Sequence, residues 1–330
     1  MFFDDRGENS MKSMKACAAL LLAASATVAV AQGDWPAKPV TVVVPSSPGG
    51  GTDTYGRLLA QALTEQLKQS FVVDNKPGAS GAIGATYVAK APPDGYTLLV
   101  ASNSSLGINP ALYKSLTYDV FRDFAPVTRG VIAPMVIVAN PSANVKTLRE
   151  LVERGKREPG TLFYGTAGVG SPLYIGVRMI EASTGAQFNH VPYKGVGPAY
   201  QDLLGGRVQF MLTDLASVRQ YVDAGKVQAL AITDKSKLLP SVPTLAEAGV
   251  PGIKAFTAFS VMVPAKTPPA LVKRIAGEIQ KAMKDPALVQ KLEQQALLPV
   301  ADTPEQFAAS LKEEQQNWGA FIKAQNIQPE

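Results

Sequence analysis

Apolar positions along the chain switch repeatedly between the periodicity of a strand and that of a helix. Val40 to Val44 is an unbroken β-branched run, typical of a strand buried on both faces of a parallel sheet. From Tyr55 to Lys68 apolar side chains recur every three or four positions, which predicts an amphipathic helix ending near Lys68. The same alternation continues through most of the chain, so the pattern predicts the α/β fold class.

The remaining apolar runs place further elements in the same order. Strands are predicted at 71–73, 96–101, 124–127, 134–138, 162–164, 188–191, 208–213, 227–233 and 259–263. Helices are predicted to end near 90, 154 and 224, and to cover 109–113, 172–181, 198–204, 269–284, 286–294 and 304–323. Several begin at a proline, which is favoured in the first helical turn. The last three are interpreted as scaffold.

Residues 11 to 31 resemble a secretory leader. Lys12 and Lys15 precede an apolar stretch, and Ala29-Val30-Ala31 is a small-residue cleavage motif, so the mature chain is predicted to start near Gln32 in the periplasm. The acidic residues 1–10 are unusual for such a leader, and a start at Met11 or Met14 would exclude them. A membrane anchor is the alternative, but the apolar stretch is shorter than the ~20 residues that span a bilayer.

Composition narrows the chemistry further. Cys17 is the only cysteine and lies inside the predicted leader, so cysteine catalysis, disulfides and cysteine metal ligands are excluded from the mature chain. The formal charge of +5 suits capture of small anions. Because the basic residues are scattered, without a block or an aromatic-interleaved stripe, nucleic acid is a poor candidate ligand.

Three glycine-rich loops follow predicted strands, at 48–53, 165–171 and 192–197. Ligands bind at the carboxyl ends of strands in open α/β sheets, and helix N-termini bind anions through free N–H groups. Thr52 or Asp53 is predicted to cap the first following helix, and Ser171 the second. For any single loop, the alternative that its glycines only form a tight turn stays open.

Other chemistries find little support in the motifs. No dinucleotide fingerprint is present, and Gly225-Lys226 is followed by valine rather than by the Ser or Thr of a phosphate loop. His190 is the single histidine, which disfavours a metal site. A secreted esterase using His190 is kept as an alternative, although no G-x-S-x-G elbow accompanies it. Asp214 ends an apolar strand and is a candidate helix cap and a candidate ligand contact, two roles that can coexist.

Seven motifs in fixed order together resemble the Bug family, the periplasmic receptors of tripartite tricarboxylate transporters. The motifs are Trp35 to Pro39, Pro48 to Asp53, Asn75 to Gly81, Asp94 to Leu98, Gly165 to Ser171, His190 to Gly195 and Pro243 to Gly249. The resemblance covers essentially the whole mature chain. It implies a class II periplasmic binding protein, a two-lobed Venus flytrap whose two α/β domains enclose a ligand cleft.

The resemblance also implies a domain division and a site. Residues 1–31 would be the signal peptide, 32–130 plus 234–330 domain 1, and 131–233 domain 2, with the chain crossing between Pro126 and Pro134. The residues carried over as ligand-binding are Gly50, Gly51, Thr52, Asp53, Ser102, Asn103, Thr166, Ala167, Gly170, Ser171 and Asp214, with Tyr55, Tyr193 and Lys194 shaping the pocket.

The function implied is capture rather than catalysis. The receptor would bind a small di-, tri- or aromatic carboxylate as a monomer, without a metal or cofactor. It would deliver that ligand to a two-component membrane permease of the tripartite tricarboxylate transporter type. A ligand-dependent receptor for a sensor protein is the alternative within the same fold, and glycine loops do not distinguish one carboxylate from another.

Overall fold

Two β-sheets organise the chain. The computed structural model describes residues 35–78, 81–193, 195–253 and 255–329, and Lys38 to Glu330 forms one unit. The predicted leader, the predicted start at Gln32 and Lys194 lie outside the described residues. None of the helices within those four ranges is long and apolar enough to cross a membrane.

The described strands are β1 (Val40–Val44), β2 (Phe71–Asn75), β3 (Thr97–Ser102), β4 (Phe124–Ala133), β5 (Met135–Ala139), β6 (Phe163–Thr166), β7 (Asn189–Pro192), β8 (Phe210–Asp214), β9 (Gln228–Ile232), β10 (Thr257–Pro264) and β11 (Leu298–Pro299). The described α-helices are α1 (Gly51–Leu67), α2 (Ala82–Ala89), α3 (Asn109–Leu112), α4 (Val120–Asp123), α5 (Leu148–Arg157), α6 (Pro172–Thr184), α7 (Val196–Leu204), α8 (Leu215–Asp223), α9 (Pro269–Ala282), α10 (Pro286–Gln294) and α11 (Pro304–Ala324).

Each sheet mixes parallel and antiparallel strands. The first has the order β11-β4-β10-β3-β1-β2. Its β1 is parallel to β2 and β3, and β10 is antiparallel to β3 and β4. The second has the order β7-β6-β8-β5-β9, with β6 parallel to β7 and β8. Helices pack on both sheets, so the predicted α/β class is confirmed.

The two sheets meet where the chain passes directly from β4 to β5. Ala133 is the last residue of the first sheet, Met135 the first of the second, and Pro134 lies between them. The return runs from β9 to β10, and on that path Leu245 and Val250 pack in the core of the second sheet with Met135. The predicted domain boundaries stay predictions. We propose from this packing that the second lobe continues to the start of β10.

Most predicted elements agree with the structure, and the differences have local causes. Helix α1 begins at Gly51 after an N-cap at Gly50 that carries no side chain, so the prediction that Thr52 or Asp53 caps it is wrong. Helix α7 begins at Val196 rather than at Pro198, which still places the proline in the first turn, where its missing N–H costs no hydrogen bond. Strand β4 continues to Ala133, beyond the predicted end at 127, and the prediction stopped early because polar and glycine residues interrupt the apolar pattern after 127.

Candidate ligand cleft

The first glycine loop is held in shape by a buried carboxylate. Asp53 lies in the first turn of α1 and is 3% exposed. Its Oδ2 atom accepts hydrogen bonds from the backbone N–H of Gly49 and from Nε of Arg57, both at 2.9 Å. Its Oδ1 accepts from Nδ2 of Asn75, also at 2.9 Å. Both oxygens therefore serve the loop itself.

Hydrogen bonding decides the charge of this carboxylate. Burial alone would raise the pKa of Asp53, but the hydrogen bonds from Arg57, Gly49 and Asn75 outweigh it and hold that pKa below its ordinary value. Asp53 is thus negative at neutral pH. Because a negative side chain repels an anionic ligand, we assign it to bracing the loop.

Gly51 is required by close packing beneath the loop. A Cβ at this position would lie 2.7 Å from Cζ of Phe259, on β10. Tyr55 stacks on the same ring at 6.3 Å between centroids and is fully buried. A Cβ on Gly130 of β4 would overlap the hydroxyl group of Tyr55. Tyr55 therefore lies inside the first domain, where it supports the loop and does not line an open pocket.

The loop after β6 is closed by its own hydroxyl groups. Ser171 is the N-cap of α6, as predicted, with Oγ accepting from the N–H of Tyr174 at 3.3 Å. The same hydroxyl donates to the carbonyl of Gly168 at 2.7 Å. The N–H of Gly168 donates to Oγ1 of Thr166 at 3.1 Å. Ala167 lies between these two anchors and is partly exposed. The anion-binding capacity of this loop thus belongs to its backbone N–H groups.

His190 supports the same loop from behind. Its Nε2 lies 2.6 Å from Oγ1 of Thr166, a side chain with no exposed surface. Burial, together with the smaller effect of the charge on Arg178, lowers the pKa of His190 to about 4. The ring is neutral at physiological pH and contacts Tyr164 and Tyr174. The hydroxyl that His190 contacts, that of Thr166, is thus buried, and the imidazole beside it is weakly basic.

The third loop contributes packing. Tyr193 covers Gly165, where a Cβ would lie 3.1 Å from its ring. Its hydroxyl donates to Oδ2 of Asp202 at 2.7 Å, on the surface of α7. Its hydroxyl is therefore held by α7, and its ring packs partly buried in the core of the second sheet.

The loops of the two sheets approach each other. A Cβ at Gly170 would lie 3.1 Å from Oδ1 of Asn109 and 3.5 Å from the hydroxyl of Tyr113. Asn109 opens α3 in the first domain, and Gly170 precedes α6 in the second. The contact thus spans the predicted cleft. Neither Asn109 nor Tyr113 was a predicted site residue, because the short helix carrying them has no glycine signature.

A small cavity lies where two helix N-termini face each other. It encloses about 70 Å³ and is lined by Gly49, Gly51 and Thr54 of the first loop and helix, Ala216 and Ser217 of the first turn of α8, and Gln295 and Leu297. No charged side chain is among these described lining residues. Both helix termini favour negative charge. Gln295 and Leu297 were missed, because they follow α10 in a segment interpreted as scaffold.

Asn103 bonds to the segment that returns from the second sheet to β10. Its Nδ2 donates to the carbonyl of Phe256 at 2.8 Å, and its Oδ1 accepts from the N–H of Ala258 at 3.3 Å. The residue is 3% exposed. Ser102, which precedes it, ends β3 opposite Phe259. The position of this pair near the hinge stays a prediction, and the amide of Asn103 is used by the backbone of residues 256 and 258.

Asp214 lies at the junction of the sheets. It ends β8 opposite Met135 and precedes α8, yet its side chain makes no capping hydrogen bond. Its Oδ1 is buried without a hydrogen-bond partner in the described structure. Burial raises the pKa of Asp214 to about 6, and a hydrogen bond from the Thr257 side chain opposes that rise. Thr257 opens β10 in the first sheet, so this pair links the two sheets beside Pro134.

Metal ligands do not gather in this region. Within residues 35–329, apart from the gaps at 79–80, 194 and 254, no group of three or more His, Cys, Asp or Glu side chains could hold a metal ion. The predicted residues instead form two loops whose backbone N–H groups are candidate donors for a ligand. Gly50, Gly51 and Thr52 belong to the first loop, and Thr166, Ala167, Gly170 and Ser171 belong to the second.

Several known proteins are similar to this chain in sequence or in fold. BugT of Bordetella pertussis is 35% identical over 318 residues, which cover 95% of this chain and 98% of BugT. Rpa4515 of R. palustris, solved with adipate, superposes with a TM-score of 0.84 and is 33% identical, covering 90% of this chain and all of that one.

Two further solved structures agree. The periplasmic binding protein BugD gives a TM-score of 0.80 at 31% identity, over 90% of this chain and all of BugD. MatC of Rhodopseudomonas palustris, with bound malate, gives 0.78 at 30% identity, over 87% of this chain and all of MatC. These likenesses confirm the predicted two-lobed fold of periplasmic solute-binding proteins.

The family description of tripartite tricarboxylate transporter receptors matches residues 55–327. That span begins in the first turns of α1 and ends after α11. It therefore includes the second sheet, every strand of the first sheet except β1, the loop after β6 and the junction at Pro134. The chain belongs to the tripartite tricarboxylate transporter receptor family.

Proposed function

We propose that this receptor captures a small dicarboxylate in the periplasm, between the loop before α1 and the loop before α6, and delivers it to a membrane permease. The observation that carries the proposal is the pairing of helix N-termini across the two sheets. Gly51 and Ser217 line one cavity from opposite sides, and Gly170 meets Asn109 across the cleft. Such termini bind carboxylate groups through free N–H donors.

The charges beside the first loop favour recognition of the anion by backbone dipoles. Arg57 lies next to this loop, and its Nε and Nη2 are bonded to Asp53 and Asn75. A carboxylate held by backbone dipoles requires no buried guanidinium and so avoids its desolvation cost. The similar structures of Rpa4515 and MatC hold adipate and malate. Both ligands are dicarboxylates, with carbon chains of different length, which supports a dicarboxylate here.

The test is a binding screen with a matched pair of variants. Adipate, malate and citrate are compared with the dimethyl ester of adipate in a thermal-shift assay, followed by calorimetry. A ligand at a hundredfold excess over its Kd stabilises the folded state by about 2.7 kcal/mol. We expect one carboxylate class to raise the melting temperature and the neutral ester to leave it unchanged.

Gly170→Val is the site variant, because its side chain meets Asn109 and Tyr113 and keeps the loops apart. Gly197→Val is the control, since a Cβ there meets nothing within 4 Å. We expect the carboxylate shift to survive in the control and to disappear in Gly170→Val, with both variants folded. A flat response of the unmodified protein to every carboxylate would overturn the proposal.

Delivery is tested separately from capture. Cells lacking the receptor gene should lose uptake of the radiolabelled carboxylate, and expression of Gly197→Val, but not Gly170→Val, should restore it. Normal uptake without the receptor, combined with a lost transcriptional response to the same carboxylate, would assign it to a sensor pathway instead.

A further inference from the structure

A second cavity lies on the other side of the junction between the sheets. It encloses about 650 Å³, a volume within the range of small-molecule sites. Its walls come from the C-terminal end of α6, the return segment before β10, and one face of α11. Its shape therefore depends on the relative position of both sheets, whereas the candidate cleft lies at the opposite end of α6.

One buried cation stands in this cavity among several acids. Arg129 of β4 is 8% exposed and donates from Nη2 to Oγ of Ser310 at 2.6 Å and to Glu314. Its Nε lies 3.7 Å from a carboxylate oxygen of Asp302. Two carboxylates therefore share a single guanidinium. Among the described lining residues, Arg129 is the only cation.

Carboxylates outnumber cations in this cluster. Asp302 and Glu314 both lie beside the guanidinium of Arg129. Glu313 also lines the cavity and is exposed to solvent. Three carboxylates around one arginine leave negative potential at the cavity mouth, which a bound cation would relieve.

The rest of the wall is aromatic and apolar. Trp318 and Phe321 of α11 line it together with Phe256 before β10. The rings of Phe256 and Trp318 meet edge to face at 6.5 Å between centroids. Aromatic faces beside carboxylates are the combination that recognises organic ammonium groups, through cation–π attraction and ion pairing.

We propose that this cavity, bounded by Arg129, Phe256, Glu313, Glu314, Trp318 and Phe321, is a second binding site that takes a small organic cation with an apolar body. Its ammonium group pairs with Glu313 and Glu314, and its body packs against the three rings. This ligand differs in charge from the carboxylate proposed for the cleft, so the two sites do not compete for one molecule.

Intrinsic fluorescence provides the test. The chain has two tryptophans, Trp35 and Trp318, so Trp35→Phe leaves a single reporter inside the cavity wall. Benzylammonium and benzyl alcohol are titrated as probes of equal size and different charge. We expect saturable change in Trp318 emission with the cation, at an affinity about threefold or more above that of the alcohol.

Two variants on α11 test whether a carboxylate of the cavity wall binds the cation. Glu313→Gln removes an exposed lining carboxylate, whereas Glu305→Gln makes the same change on that helix outside the cavity. We expect the first to weaken benzylammonium binding by about threefold and the second to leave it unchanged.

A third variant tests the aromatic wall. Phe321→Leu keeps an apolar side chain but removes a ring, and we expect a further loss of about two- to fivefold in benzylammonium affinity. No response of Trp318 to benzylammonium would overturn the proposal. So would equal affinity for benzyl alcohol, or equal losses in the Glu313 and Glu305 variants.

Discussion

At the scale of single residues, most polar side chains in the candidate cleft are engaged by the protein. Asp53 braces the first loop, and Ser171 closes the second. Asn103 holds the return crossing, and the hydroxyl of Tyr193 bonds to α7. The groups that remain for an anion are backbone N–H donors at helix starts. Preorganisation of this kind lowers the entropy lost when a ligand binds.

Replacement of Asp53 tests this division of labour. Asp53→Asn keeps the size of the side chain but loses a charged acceptor and turns one oxygen into a donor facing the N–H of Gly49 or the amide of Asn75. We expect a loss of about 1–3 kcal/mol in the free energy of unfolding, since buried donors lose their acceptor. Urea denaturation measures that loss, and calorimetry with a carboxylate should show weaker binding.

The control is Asp74→Asn, on the neighbouring strand. Asp74 is 40% exposed and pairs with Lys76 at 3.0 Å, so the loss of its charge should change the free energy of unfolding little. Because the folded pKa of Asp53 is lowered, its contribution is present above the unfolded pKa of about 3.9 and is lost as pH falls through the folded value. Equal effects of the two substitutions would contradict a bracing role for Asp53.

At the scale of elements, helix α6 connects the candidate ligand cleft with the second cavity. Its N-cap shapes the ligand loop, and its C-terminal residues form part of the second cavity. Ser171→Ala should cost about 1 kcal/mol of stability, the usual loss for an N-cap. It should also weaken carboxylate binding, because the hydrogen bond to Gly168 that closes the loop is lost.

Helix α11 supplies the matched control for this prediction. Thr303 caps it through a capping box with Gln306, on a helix that does not contribute to either candidate loop. Thr303→Ala should lower stability by a similar amount, about 1 kcal/mol, while carboxylate affinity stays unchanged. If both variants weakened binding equally, the effect would belong to global stability rather than to the loop.

The elements also show how far the sequence alone predicts this structure. The buried run of β1 and the Ser171-Pro172 start of α6 carry strong local signals, and both match the structure. Strand β11 has two residues, too few to show the periodicity of a strand, and it is defined by its pairing with β4. For the same reason the approach of Gln295 to the first loop was not predictable: it depends on tertiary packing after α10.

At the scale of the whole molecule, two crossings connect the sheets, and polar contacts cluster around them. Pro134 limits the first crossing to a single residue between β4 and β5. Asn103 binds the backbone of the second crossing at Phe256 and Ala258. Asp214 and Thr257 join the two sheets between these points. Hinge motion in proteins is absorbed by a few residues of this kind.

The buried carboxylate at this junction makes stability depend on pH. Burial raises the pKa of Asp214 to about 6, whereas the pKa of an aspartate in the unfolded chain is about 3.9. Between these two pH values Asp214 is protonated in the folded protein and ionised in the unfolded chain. The associated stability is therefore complete at low pH and is lost as pH rises through about 6. Asp214→Asn keeps an amide oxygen for Thr257 and removes the ionisation.

We expect Asp214→Asn to match the unmodified protein near pH 4 and to exceed its free energy of unfolding by up to about 3 kcal/mol near pH 8. Urea denaturation at several pH values measures the difference. Asp223→Asn is the control, because Asp223 lies at the exposed end of α8 and pairs with Arg219. Parallel stability curves for Asp214→Asn and the unmodified protein would show that the carboxylate does not ionise within this range. A gain at high pH confined to Asp214→Asn would place the proton at the junction of the two sheets.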